Sequence, residues 1–128
     1  MAGQSSSISL SASNAFALEV GQLLRDCHCS DVLILQVSGL SQVCDYVVIG
    51  TGTSDRQMKS VADEITTFGK EKSFSPFGTS LDPAATWIVV DFISVVIHLF
   101  EPQQRTYYDL EDLWAEAKQV ELPALPSS

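Results

Sequence analysis

Residues 45–69 constrain the fold more tightly than any other part of the chain. Tyr46-Val47-Val48-Ile49 is an apolar, β-prone run. Gly50-Thr51-Gly52 follows, where glycine opens backbone angles closed to other residues. Ser54 is a favoured helix N-cap, and Gln57 three residues later completes a capping box. Met58, Val61, Ala62, Ile65 and Phe68 then recur at helical spacing, and Gly69 marks the helix end. A buried strand, a glycine turn and a helix in this order point to an α/β sheet. Such turns are also places where α/β proteins often hold anions.

The rest of the chain supplies partners for that strand. Residues 1–13 are small and serine-rich, and read as a disordered lead-in. Asn14 can cap a helix over residues 15–26, with Phe16, Val20, Leu23, Leu24 and Cys27 on one face. Val32 to Leu35 and Val37 form a nearly continuous apolar run, which suits a strand covered on both faces. Residues 70–86 carry Ser73, Ser75, Pro76, Gly78, Ser80 and Pro83 without periodicity, and read as a surface loop. Residues 87–92 and 95–100 are two further β segments joined by a tight turn, and Pro102 ends the second. Gln103 to Tyr108 suits a short helical turn. Asp109 then caps a final amphipathic helix with Leu110, Leu113, Trp114 and Ala117 on its inner face. Residues 119–128 form a flexible tail. The expectation is a single α/β domain over residues 14–118, a mixed β-sheet flanked by helices.

Charge narrows the partners. The 128 residues carry 16 acidic and 7 basic side chains, a net charge of -9. A surface that grips nucleic-acid phosphate needs clustered Lys and Arg, so little direct nucleic-acid binding is expected. A basic protein is the better match. No apolar run approaches the roughly 20 residues that cross a membrane. Three cysteines, with Cys27 and Cys29 too close for an easy bridge and Cys44 in a strand, fit a reducing compartment. The N-terminus lacks a basic stretch followed by an apolar core, and its serine-rich opening lacks arginine. The expected location is therefore cytoplasmic rather than an organellar matrix.

Each chemical constellation has a plain counterpart. The glycine turn lacks the Lys-Ser or Lys-Thr pair of a P-loop, and Asp55 would repel a phosphate at the helix start. Gly50, Gly52, Ser54 and Gln57 are thus a structural turn and cap. The alternative is a nucleotide-binding or nucleotidyl-transferring enzyme using Gly52-Thr53-Ser54. Cys27-His28-Cys29 has the wrong spacing for a zinc knuckle, so no metal and no cofactor are expected. Ser54, His98 and Asp91 lack a nucleophile elbow. Asp91 and His98 lie within apolar segments, where either is costly to bury unpaired. They are polar groups at a sheet edge, or part of a sheet face that receives a partner. Arg105, Tyr107, Tyr108 and Trp114 follow, of the types that dominate interfaces and also ordinary packing. From Glu101 onward six acids face only Arg105 and Lys118.

These blocks, in this order and spacing, resemble the ribosome silencing factors, the Iojap-like family. The likeness runs from Asp31-Val32 to Trp114. It is carried by Asp45-Tyr46-Val47-Val48-Ile49, Gly52-Thr53-Ser54-Asp55-Arg56-Gln57, Ala62-Asp63-Glu64, Trp87-Ile88-Val89-Val90-Asp91, Val95 to Phe100, Arg105, Tyr108-Asp109-Leu110-Glu111 and Leu113-Trp114. The resemblance implies a nucleotidyltransferase-like fold without the catalytic carboxylates, and a non-enzymatic translation factor. Such factors bind a basic protein of the large ribosomal subunit, number fourteen. They block subunit joining when nutrients are scarce, and organellar relatives act in large-subunit assembly. Family members are often homodimers. The contact surface expected here comprises Trp87, Asp91, His98, Arg105, Tyr108, Glu111 and Trp114. Two departures stand out. Phe92-Ile93-Ser94 replaces the family's glycine-plus-acid turn, and Phe77-Gly78 replaces a Glu-Gly pair. An isoleucine is unfavourable at positive φ, so the first change predicts a wider turn.

Overall fold

The computed structural model describes residues 10–122. Six strands form one mixed sheet in the order β3-β4-β5-β2-β1-β6. The elements run α1 (Leu10–Asp26), β1 (Ser30–Gln36), β2 (Tyr46–Thr51), α2 (Asp55–Glu71), β3 (Gly78–Leu81), β4 (Trp87–Asp91), β5 (Val95–Phe100), α3 (Pro102–Tyr108), α4 (Leu110–Leu113) and β6 (Lys118–Val120). β2 is buried along its whole length, because both faces of the sheet are covered there. It pairs parallel with β5 and antiparallel with β1, while the other strand pairs among the described residues are antiparallel. No helix among the described residues is long and apolar enough to cross a membrane.

The two sheet faces are treated differently. On the first, α1 and α2 bury Ile34, Tyr46, Val48, Ile88, Val90, Ile97 and Leu99 beneath Phe16, Val20, Leu24, Val61 and Ile65. Phe16 stacks on Phe74 with ring centroids 4.0 Å apart and meets Phe92 edge-on at 5.1 Å. On the second face, Leu35, Val37, Val47, Ile49 and Phe100 pack with Leu110, Trp114 and Ala117 from the C-terminal segment.

The capped helix after β2 forms as the sequence implies, with one shift. Ser54 Oγ accepts from the Gln57 backbone N–H at 3.1 Å. The Gln57 side chain reaches back one residue further than a capping box requires. Its Oε1 accepts from Thr53 N–H at 3.0 Å, and its Nε2 donates to the Cys27 carbonyl at 2.8 Å. Neither Gly50 nor Gly52 sits at positive φ; Gly39, at 88°, is the glycine that does among the described residues. The glycines of the turn serve close packing instead. A Cβ on Gly52 would lie 2.2 Å from Met58 Cγ, and one on Gly50 would lie 3.0 Å from Leu24 Cδ1.

Several boundaries differ from the sequence expectation. α1 begins at Leu10, so Asn14 lies inside the helix rather than capping it. Its Nδ2 donates to the Tyr46 hydroxyl at 3.0 Å. The segment read as loop holds the edge strand β3, and the segment read as tail holds β6, paired with β1. The remaining parts of the lead-in and tail lie outside the described residues. The final helix is one short turn: Asp109 adopts φ 48° and makes no side-chain cap, and Leu113 faces solvent. The β4–β5 turn is tight, not wide. Phe92 N–H donates to Val95 O and Ser94 N–H to Phe92 O, both at 2.9 Å, with Ile93 at φ 73°. That is a γ-turn of the rarer, strained hand, and Asp91 Oδ1 holds the Ile93 N–H at 2.7 Å.

Candidate functional site

Strand alternation sorts the β4–β5 side chains. Ile88, Val90, Ile97 and Leu99 are buried beneath the helices, whereas Trp87, Val89, Asp91, Val96 and His98 are only half-buried on the opposite face. The C-terminal segment packs on that second face over β1, β2 and Phe100, with Trp87 in the same cluster, while Val89, Asp91, Val96 and His98 stay half-buried beyond it. Cross-strand register sets Trp87 against Phe100, Val89 against His98 and Asp91 against Val96.

An aromatic cluster occupies this face. The Trp87 ring lies 5.1 Å from Phe100 and 4.4 Å from Tyr108, centroid to centroid. Trp87 Nε1–H donates to His98 Nδ1 at 3.1 Å. The imidazole is therefore neutral with its proton on Nε2. Burial pushes the His98 pKa down to about 4, although the Asp91 carboxylate pulls the other way. Tyr108 is half-exposed and Tyr107 more so, at the end of α3. Pro102 starts that helix, where its missing N–H costs nothing, and Asp109 stops it in the left-handed region.

Of the residues expected to share a contact surface, Trp87, His98 and Tyr108 are brought together. Asp91 lies on the same face at the far end of β4. Arg105, Glu111 and Trp114 lie on the C-terminal segment, outside the aromatic ring contacts themselves. The Arg105 side chain is 12% exposed, and its donors are engaged within the chain. Nη1 donates to the Asp31 carbonyl at 2.6 Å and to Thr51 Oγ1 at 2.7 Å, while Nε donates to Glu111 Oε2 at 3.1 Å. Asp31 has φ 50° and lies where the β1–β2 register slips, so Arg105 braces a bulge. Trp114 is half-buried against the second core cluster. Sequence reading missed Phe100 as the floor of the aromatic cluster, and Val89 and Val96 as its apolar neighbours. Alternation with Trp87 and His98 is the signal that could have found them.

Thr51 of the glycine turn lines a cleft of about 660 Å³ together with Asp31, Arg105 and Glu111. Gly52 N–H donates to Phe100 O at 2.8 Å, and the Thr53 and Gln57 N–H groups are taken by Gln57 Oε1 and Ser54 Oγ. Those three donors are spent within the protein rather than left for a phosphate.

A mixed six-stranded sheet, with α1 and α2 on one face and an aromatic cluster with the C-terminal segment on the other, defines an α/β domain. The chain belongs to the family described as ribosomal silencing factor during starvation, whose model matches residues 11–128. It is similar to the ribosomal silencing factor RsfS of Bacillus subtilis, with 36% identity over 97 residues, 76% of this chain and 82% of that protein. It is also 35% identical over 100 residues to the mouse protein named mitochondrial assembly of ribosomal large subunit protein 1, covering 72% of this chain and 42% of that one. A crystal structure of a Chromobacterium violaceum protein superposes with a TM-score of 0.74 at 27% identity, covering 94% of this chain and 95% of that chain.

Proposed function

We propose that this protein silences ribosomes by binding the large subunit through a basic ribosomal protein, number fourteen, and so blocks joining of the small subunit when nutrients are limiting. A role in large-subunit assembly is part of the same reading, in keeping with the name of the mouse relative. The role is one of occupancy, not catalysis. One observation carries it: the half-buried Trp87–His98–Tyr108 face, on a member of this family with net charge -9, with the Asp91 carboxylate acting on His98. Aromatic groups supply contact area at low entropic cost. The acids supply attraction for a basic partner and set its orientation. Glu111 and Trp114 border the face through the C-terminal segment, and Arg105 holds that segment in place.

Co-sedimentation with purified large subunits tests the reading. Binding is expected at low salt, where charge attraction is strongest, and should weaken as salt rises. Trp87→Ala and Asp91→Lys should each release the protein from the subunit while substitutions among Ser5, Ser6 and Ser7 should not. An absence of binding at low salt refutes the proposal. Calorimetry with common nucleotides addresses the nucleotide-binding alternative, and saturable heat would revive it.

A further inference from the structure

The outer surface of the helical layer lies on the opposite side of the sheet from the aromatic face. α1 and α2 run antiparallel there. Glu19 pairs with Lys72 at 3.3 Å, and Cys27 Sγ donates to Glu64 Oε2 at 3.3 Å. The stretch from Glu19 in α1 to Cys27 just after it spans about 12 Å at 1.5 Å per residue. Between the two ends lies a shallow cleft of about 380 Å³, lined by Leu23, Asp63, Glu64, Thr67, Phe68 and Glu71.

The chemistry of this cleft is lopsided. Leu23 and Phe68 give it an apolar floor that the core only partly covers. Three carboxylates line it and no cation does. Lys72 stands at one end, ion-paired to Glu19 and 5.6 Å from the Phe68 ring centroid. At the other end the Cys27 thiol stays neutral, its pKa pushed up to about 11 by burial and then by Glu64, so it adds no charge and keeps the Glu64 carboxylate in position. Isolated half-exposed apolar residues are ordinary on a helix surface. Here they lie in a groove between two antiparallel helices, and such a groove fits the ridge of a third helix. The carboxylates select its charge.

We propose that the α1/α2 cleft is a docking groove for a short, basic amphipathic helix of a protein partner. About two turns fit along it, with apolar residues at i, i+3 or i+4 on Leu23 and Phe68, and Lys or Arg flanking them toward Asp63, Glu64 and Glu71. Because the groove and the aromatic face are on opposite sides of the sheet, one copy of the chain holds both partners at once. The groove does not depend on what the aromatic face binds.

Two short fluorescent helical peptides with the same leucine stripe, one flanked by lysines and one by glutamates, serve as probes in anisotropy titrations with the full chain. The lysine peptide should bind saturably and the glutamate peptide about tenfold more weakly or less. Glu64→Lys/Glu71→Lys, at exposed helix positions, should reverse that preference. Thr67→Arg, also exposed, should block the lysine peptide by filling the cleft with a like charge. In amide NMR spectra the lysine peptide should shift Leu23, Thr67 and Phe68 and leave the Trp87 indole unmoved. Equal binding of both peptides, no saturable binding, an unchanged preference in the reversed variant, or shifts centred on Trp87 would overturn the proposal. So would loss of large-subunit co-sedimentation in the reversed variant, since the two surfaces would then not be separate.

Discussion

Arg105 provides a quantitative test of how the site is built. Arg105→Ala removes a largely buried guanidinium that bridges the β1 bulge, the end of β2 and α4. Hydrogen bonds to a charged group contribute about 1.5–3 kcal/mol each, and a buried partner left unsatisfied costs about 1–3 kcal/mol. Thr51 is buried at 5% exposure and loses its Arg105 partner, whereas Glu111 is 38% exposed and recovers water. Discounting the Glu111 half for screening leaves about 3 kcal/mol. Unfolding entropy of about 2.1 cal/mol/K per residue over 128 residues converts this to a fall of about 11 °C in melting temperature. Arg105→Lys should lose about half as much, because one ammonium cannot span all three partners. Thermal and urea melts followed by circular dichroism measure both. A loss below about 1 kcal/mol would mean that the network does not hold the segment. An unchanged melt with weaker large-subunit binding would make Arg105 a contact residue rather than a brace.

Two further perturbations probe the site and its scaffold. The His98 pKa of about 4 lies below the ordinary 6.5, so the unfolded chain takes up a proton between those values that the folded chain refuses. Its contribution to stability is therefore whole above pH 6.5 and is lost as pH falls toward 4; urea midpoints across this range should slope upward with pH, and His98→Gln should flatten the slope. Gly52→Ala places a Cβ 2.2 Å from Met58 Cγ in the core, and should cost about 1–3 kcal/mol in a denaturant melt; an unchanged midpoint would show that the turn has room after all.

Legibility in the sequence followed burial. β1, β2, β4, β5 and α2 were plain, because each buries a continuous or periodic apolar set that marks its own geometry. β3 was not, since Gly-Thr-Ser-Leu is exposed at all four positions and is a strand only because β4 offers it an edge. β6 is three residues long and is likewise set by its partner, β1. Asn14 misled because its amide serves a tertiary bond to Tyr46 rather than the helix end. The γ-turn at Ile93 broke a rule about positive φ; Asp91 and the Phe92–Val95 bond impose that geometry on a residue that would not choose it. The pairing of Trp87 with His98 needed the strand register, which neither segment alone specifies. Arg105 read as an interface residue by type, and only the fold showed its donors turned inward.

The parallel pairing of β2 with β5 has a consequence for how the chain acquires its shape. Tyr46 aligns with Val95 and Thr51 with Phe100, so the centre of the sheet joins segments far apart in sequence. The β1–β2 and β4–β5 pairs are hairpin-like and close short loops, while the seam between them must close a long one. During synthesis β2 emerges with one edge unpaired and stays so until β5 has left the ribosome. The seam is therefore the late, slow step of folding, and the interval before it is when this apolar strand is most open to mispairing.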